Sequence, residues 1–530
     1  MTTTAHDTTG TTQIDHQRTI TLLFVGLILT QLMSSLNQTI FSTALPTIVG
    51  ELQGVEHMSW VITAFILAVT IMMPIYGKVS DLYGRKPLLL AAITIFMIGS
   101  LCGALAPSMG ALIVARVIQG VGGGGLMILS QAAIADVIPA RDRGRYMGIM
   151  GGVFAFSSVA GPLLGGWLTE GPGWRWAFWL NIPLGILAFA ATATFMRVPR
   201  PQLNAPVRLD VLGMGVLAVT TSAAVLAVTW GGNEYAWSSP VVVGLLVTAV
   251  LGAVFFAWVE SRASEPIMPL FLFRDRNFLL TTIAAIATGV AMFGAIGYMP
   301  TYLQMSGGYT ASVAGLLMFP MMAALLVTSV STGVLMSRTG RYKWFPVVGS
   351  VLVAIGLVWV STVTVESSLL VICGAMAVIG MGLGMSMQVL TIIVQNSFPL
   401  TVVGTATAAT NYFRQVGATL GSAIVGSLFA SRLVSTLTQA KSGVGDAPGS
   451  GGIDGGVEVS SLTPAVVNTL PDAVADVIRS AYNEALMPIY LSLVPLAVLA
   501  AVTLCFVREK PLARSLDDAR AIVVGKSDRG

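Results

Sequence analysis

Charge is what this sequence has least of. Its 530 residues include only 28 Lys and Arg and 24 Asp and Glu, 10% of the chain, against 55% hydrophobic side chains. An ordinary soluble domain carries about 25% charged residues. A soluble globule of this size needs a charged surface that the composition does not supply, so soluble enzymes and soluble binding modules are excluded. Cysteine is scarce too: Cys102, Cys373 and Cys505 all fall in apolar stretches, which leaves no disulfide framework. His6, His16 and His57 lie outside those stretches and make no metal-ligand spacing. There is no G-x-x-x-x-G-K-[ST], hence no ATPase phosphate loop. Gly380, Gly382 and Gly384 follow no strand, so a dinucleotide site is not indicated either. The formal charge is +4, but no basic run or stripe of the kind nucleic acid requires is present. The chain is expected to be no enzyme and to hold no cofactor and no metal.

What is present is apolar length. A membrane helix needs about 20 largely apolar residues. Fourteen such runs occur, roughly at 19–43, 59–79, 88–106, 111–136, 144–168, 177–197, 210–231, 240–260, 278–303, 312–336, 344–363, 368–395, 402–436 and 486–507. The thirteenth exceeds one span, so its last turns are expected to project from the bilayer. Residues 1–18 are polar, and the first run is too long for a signal peptide core and lacks a cleavage site; an uncleaved anchor is expected. Lys and Arg fix the orientation. With the amino terminus in the cytoplasm, only Arg175, Arg432, Lys441 and Arg479 face outward, and Arg116 and Arg414 lie within spans. Both termini are then cytoplasmic.

The outer segment 437–485 differs from the other loops. It opens Gly-rich (SGVGDAPGSGGIDGG) and continues into TPAVVNTLPDAVADVIRSAYNEA, whose apolar spacing predicts a short surface helix. A solvated connector, a lid and a partner-docking arm are all open readings.

An internal repeat is visible. Gly77, Gly84 and Arg85 share an offset of 256 with Gly333, Gly340 and Arg341, and Gly161 and Gly165 share it with Gly417 and Gly421. Duplication of a six-helix unit follows, a transporter architecture with its site at the repeat interface. The expected division is a tail at 1–18, a six-helix half at 19–200, two inserted helices at 208–262, a second half at 278–507 and a tail at 508–530. The fold class is an all-α polytopic membrane bundle.

Polar residues inside such a bundle are functional candidates. Gln31, Ser35, Gln38 and Ser42 form a stripe on the first span, with Ser34 and Asn37 beside it. Arg116 and Gln119 lie one turn apart in the fourth span. Arg414 lies in the thirteenth, with an anion-facing role or a bond to Asn411 and Gln415 as alternatives. In GKVSDLYGRKP (77–87), Gly77 and Gly84 permit close approach and a tight turn, while Asp81, Arg85 and Lys86 can pair and separate. Asp136 is the expected mate of Arg85. No Asp or Glu lies in the middle of any span.

That loop string resembles the signature G-x-x-x-D-x-x-G-R-[RK] of the major facilitator superfamily. RVIQGVGGGG (116–125) is similar to its span-four motif, and GPLLGG (161–166) to the span-five motif of its antiporters. LNQTIFSTALPTI (36–48), SWVITAFILA (59–68) and WRWAFWLNIPLG (174–185) resemble the fourteen-span drug:proton antiporter family. The likeness covers roughly residues 19–510. It implies two six-helix halves with two inserted helices, a plasma-membrane location in a bacterial cell, and export of lipophilic, often cationic, drugs or antibiotics by alternating access in exchange for protons. It implies that Arg116, Gln119 and the span-one stripe line the cavity. Gly77, Asp81, Gly84, Arg85, Lys86 and Asp136 would form a cytoplasmic latch, and Gly161, Pro162, Gly165 and Gly166 a bendable seal. A narrow exporter of one metabolite, antibiotic or siderophore and a non-transporting sensor are the alternatives. Asn37 stands where relatives place an Asp taken as the proton site, and an amide cannot titrate.

Overall fold

The computed structural model describes residues 8–196, 209–232, 234–444 and 472–513. It contains fourteen helices long and apolar enough to cross a membrane. They are α1 (Thr8–Leu52), α2 (Met58–Tyr83), α3 (Arg85–Ala104), α4 (Met109–Val137), α5 (Arg143–Glu170), α6 (Trp176–Phe195), α7 (Val211–Trp230), α8 (Pro240–Arg262), α9 (Arg276–Met305), α10 (Val313–Thr339), α11 (Trp344–Ser361), α12 (Leu369–Gln395), α13 (Val403–Val444) and α14 (Asp472–Cys505). The chain is a multi-pass membrane protein. Its connections at residues 78–86, 138–145, 262–276 and 338–343 share one end of the bundle, the basic end.

Local chemistry sets the helix boundaries. Ser108, Asp210, Ser239 and Asp275 each accept a backbone N–H of the first turn of α4, α7, α8 and α9. Gly84 and Gly340 have φ of +93° and +73°, where a side chain would be strained. They end α2 and α10, equivalent members of the repeat.

The repeat also governs packing. On α5, Gly161 and Gly165 lie against Thr39, Ile40 and Thr43 of α1; on α13, Gly417 and Gly421 lie against Ile286 and Val290 of α9. Between the halves, Gly77 of α2 meets Gly404 and Ala408 of α13, and Gly333 of α10 meets Gly144 of α5. Without a hydrophobic driving force between helices in lipid, such close approach is the main source of attraction. Pro162 lies within α5, and Thr43 Oγ1 donates to its carbonyl at 3.3 Å, as Thr39 Oγ1 does to that of Ser157 at 2.9 Å. Gly166 faces open space.

The inserted helices sit over the seam. α7 packs on α2 and α13, with the Thr221 and Tyr412 hydroxyls 2.9 Å apart. α8 packs mainly on α7 and buries only Val242, Val259 and Glu260. Glu260 accepts the Ile267 and Met268 N–H groups at 3.2 and 3.0 Å, and Lys78 pairs with Glu265 at 2.6 Å, fastening the pair at the basic end. An apolar groove of about 840 Å³ between α7 and α8, lined by Val211, Leu212, Val219, Leu251 and Phe255 among others, carries no charged group.

One sequence expectation needs correction. The segment after Pro471 is no separate surface helix: α14 is continuous from Asp472 and extends the last span outward. Its stripe of Ala475, Ile478, Ala481, Tyr482 and Ala485 packs with Met305 and Leu433, so the apolar spacing is spent on α9 and α13. α13, at 42 residues, is longer than one span requires. The Gly-rich part of 445–471, the linker at 197–208, the tail at 514–530 and the Ser42 side chain lie outside the described residues.

At the outer end, Glu51 accepts Trp174 Nε1–H at 2.7 Å and pairs with Arg175. The Arg175 and Trp174 donors hold this carboxyl below its ordinary value near 4.5. A depressed carboxylate stabilises above its unfolded pKa, and the gain is lost as pH falls through the folded one. Glu51→Gln is therefore expected to lower stability at pH 7 slightly, by under about 1 kcal/mol, with the difference closing below pH ~4. Thermal unfolding in detergent across that range checks it.

Candidate functional site: a charge latch and two buried arginines

The loop after α2 brings three charges together. Arg85, 3% exposed, donates through Nη1 to Asp81 at 2.5 Å and to Ser80 Oγ at 2.9 Å, and through Nε to Asp136 Oδ2 at 3.1 Å. Asp81 reaches further. Its Oδ1 accepts Gly404 N–H at 3.1 Å, and its Oδ2 accepts Thr405 N–H at 2.7 Å and Thr405 Oγ1–H at 2.6 Å. A carboxylate of the first half thus caps the first turn of α13 in the second, where free N–H groups and the helix dipole favour an anion.

The complementary contact lies on the neighbouring connection. Arg141 donates to the Ser337 and Arg338 carbonyls at the end of α10, both at 3.0 Å, where a cation is favoured. Arg143, 2% exposed, does the same within the first half, for Ala135 and Ile138 at the end of α4. Lys86 takes no part in this cluster: its Nζ donates to the Ala193 carbonyl of α6 at 2.6 Å.

Deeper in the membrane the polar residues are amides and arginines. Arg116, 1% exposed, donates to the Val61 carbonyl at 3.0 Å, to Asn37 Oδ1 at 3.1 Å and to Gln119 Oε1 at 2.7 Å. Its guanidinium lies 4.5 and 4.1 Å from the Phe41 and Phe65 ring centres, a cation–π sandwich. Gln119 in turn donates to Ser100 at 2.8 Å. On α1, Gln31 donates to Ser35 at 3.4 Å, and both are buried; Gln38 is half-buried. Asn37 Nδ2 and Gln31 Oε1 have no hydrogen-bond partner among the described residues. The set Gln31, Ser35, Asn37, Arg116 and Gln119 is thus enclosed in the first half.

Arg414 belongs to a second network, at the seam. Its Nη2 donates to Asn411 Oδ1 at 2.5 Å, and Asn411 Nδ2 donates across to Gln131 Oε1 of α4 at 3.1 Å. Gln395 Nε2 also reaches the Gln131 carbonyl at 3.3 Å. Among the described residues, the hydrogen bonds that join the two halves directly lie at this level or nearer the basic end.

A family model described as Major Facilitator Superfamily matches residues 27–422. The chain belongs to this superfamily. An MFS-type transporter of Mycobacterium tuberculosis is 40% identical over 94% of this chain and 71% of its own length. The multidrug transporter protein MdtP of Bacillus subtilis is 36% identical over 79% and 77%, and multidrug resistance protein 3 of the same organism 31% over 92% and 95%. In three dimensions the chain is similar to the proton:xylose symporter XylE, with a TM-score of 0.61, 15% identity and coverage of 96% and 99%; that likeness speaks to the fold alone. This facilitator is a transporter and no enzyme.

Sequence reasoning paired Arg85 with Asp136 but missed the partners across the seam. Thr405 and Gly404 act through backbone N–H groups, which no motif displays. Asn411 was foreseen as a partner of Arg414, whereas Gln131 and Gln395 could have been found by asking which amides fall in apolar runs. Removing one member of a buried ionic set strands the others, at about 3–5 kcal/mol. Arg85→Ala is expected to lower the Tm by a corresponding margin, and adding Asp81→Asn and Asp136→Asn to restore much of it. Thermal unfolding of the single and triple variants decides; an Arg85→Ala protein as stable as the parent removes the ionic set from the account.

Proposed function

We propose that this facilitator exports lipophilic small molecules from the cell across the plasma membrane by alternating access, with the Asp81–Arg85–Asp136 cluster as its inner gate. The observation that carries the reading is the capping of α13 by Asp81. It is a charged contact between halves, short and buried, and confined to one end of the bundle. Such a contact can exist only while that end is closed, and its loss exposes Asp81 and Asp136 to water, which offsets part of the cost of opening. The relatives named multidrug transporters supply the direction and the breadth.

Exchange with protons, which the sequence resemblance implies, would fall to the gate carboxylates Asp81 and Asp136, because Asn37 carries no titratable proton. The glycine face of α5 around Pro162 suits a helix that stays sealed on α1 while the halves rock.

The test uses Nile red, an uncharged dye, preloaded into an efflux-deficient host. Cells expressing the chain are expected to lose the dye faster than controls. Asp81→Asn should slow that loss at least about ten-fold at equal membrane abundance, the order expected when roughly 1.4 kcal/mol or more of gate stabilisation is removed. Dye loss equal to that of control cells would overturn the export reading, and an unaltered Asp81→Asn rate would overturn the gate.

A further inference from the structure

Resting on the export reading, we propose that the substrates of this facilitator include amphipathic organic anions, that Arg414 receives their negative group, and that the membrane potential drives their exit.

The argument begins with charge. Arg116 and Arg414 are basic residues well inside described spans, and neither has a carboxylate partner among the described residues. The described acids lie at helix ends or in connections, apart from the exposed Glu484 in the outer part of α14. Arg116 is satisfied by Val61, Asn37, Gln119 and two aromatic faces. Arg414 is not. It is 9% exposed, and of its five N–H groups only one has an acceptor among the described residues, Asn411 Oδ1. Asn411 also carries a hydrogen bond between the halves, to Gln131. Arg414 follows it by one turn of α13, roughly 4.5 Å further from the basic end. An uncompensated guanidinium at mid-membrane depth is unfavourable unless it meets an opposite charge, and its planar fork matches a carboxylate, sulfonate or phosphate. A positively charged interior repels cations and concentrates anions.

The same arrangement supplies an energy source. With the cell interior negative, a monovalent anion moving outward runs down the electrical gradient. At 100 mV the potential holds it out about fifty-fold, the equivalent of ~2.3 kcal/mol per charge. Such export needs no counter-transported proton, so the potential here takes the place of the proton exchange considered above, which accords with the amide at Asn37.

The experiment reconstitutes the full chain in liposomes with potassium gradients and valinomycin. The probes are 8-anilinonaphthalene-1-sulfonate, a permanently charged anion, and ethidium, a cation. The sulfonate is expected to move toward the positive compartment at a rate set by the potential and unaffected by a one-unit pH gradient. Arg414→Gln is expected to lower that rate at least ten-fold. Arg414→Lys, which keeps the charge, should retain a measurable part of it and so separates loss of charge from loss of fold. Ethidium carried under a pH gradient with the sulfonate immobile would overturn the inference and leave export standing. Sulfonate transport equal in Arg414→Gln would overturn Arg414 as its receptor. Immobility of both probes would overturn the inference as well, and Nile red loss in cells then reports separately on export.

Discussion

A carboxylate of one half, buried against the first turn of a helix from the other, is the contact on which the closed basic end depends. Asp81 is there because Arg85 neutralises it, and Arg85 is held because Asp136 takes its second face. None of the three is stable alone at that depth: an unpaired buried charge is strongly unfavourable, while a satisfied set is close to neutral against an apolar replacement. The cluster therefore adds little to overall stability, and in the proposed gate its part lies in the choice between two arrangements. Arg141 on the α10 carbonyls acts with it, so helix termini of opposite polarity in the second half each meet the charge that suits them.

Close helix approach is the other half of the seal, and it follows from duplication. Gly77 against Gly404 and Gly144 against Gly333 bring α2 to α13 and α5 to α10, with the roles of the halves exchanged. Ser329 Oγ adds a hydrogen bond to the Gly148 carbonyl at 3.1 Å beside the second crossing. The glycine faces of α5 and α13 on α1 and α9 are fixed within each half. The internal faces thus hold each six-helix unit together, while the crossings sit where the units meet. Two packed bodies joined by a few close crossings suit the rocking motion proposed above.

Much of this was legible in the sequence. Fourteen apolar runs gave fourteen spans, because hydropathy over about 20 residues is a strong signal. The shared offset of Gly84 and Gly340 anticipated two positive-φ helix ends. The pairing of Arg85 with Asp136 followed from opposite charges at one end of the bundle. Three things were not legible. The target of Asp81 is a set of backbone N–H groups made available by a helix start 323 residues away. Lys86 was grouped with Arg85 on proximity in sequence, whereas successive helical residues point apart, and it reaches Ala193. The last span was cut short because Glu484 and Asn483 interrupt its hydropathy; Asn483 accepts the Tyr302 hydroxyl at 2.8 Å, so a polar residue there is a packing contact.

The charge balance of the interior is set by amides and arginines. Asn37 keeps the hydrogen bond to Arg116 that an acid would make, without its negative charge, and two arginines then define the interior field. Whether the two halves rock about the seam as units is the claim beneath all of this. Spin labels placed in pairs across the seam, one pair at the basic end and one at the outer end, test it in reconstituted protein. The account predicts that substrate adds a longer distance at the basic end together with a shorter one at the outer end. Two pairs that lengthen or shorten together, or a basic-end distance that never changes, would contradict it.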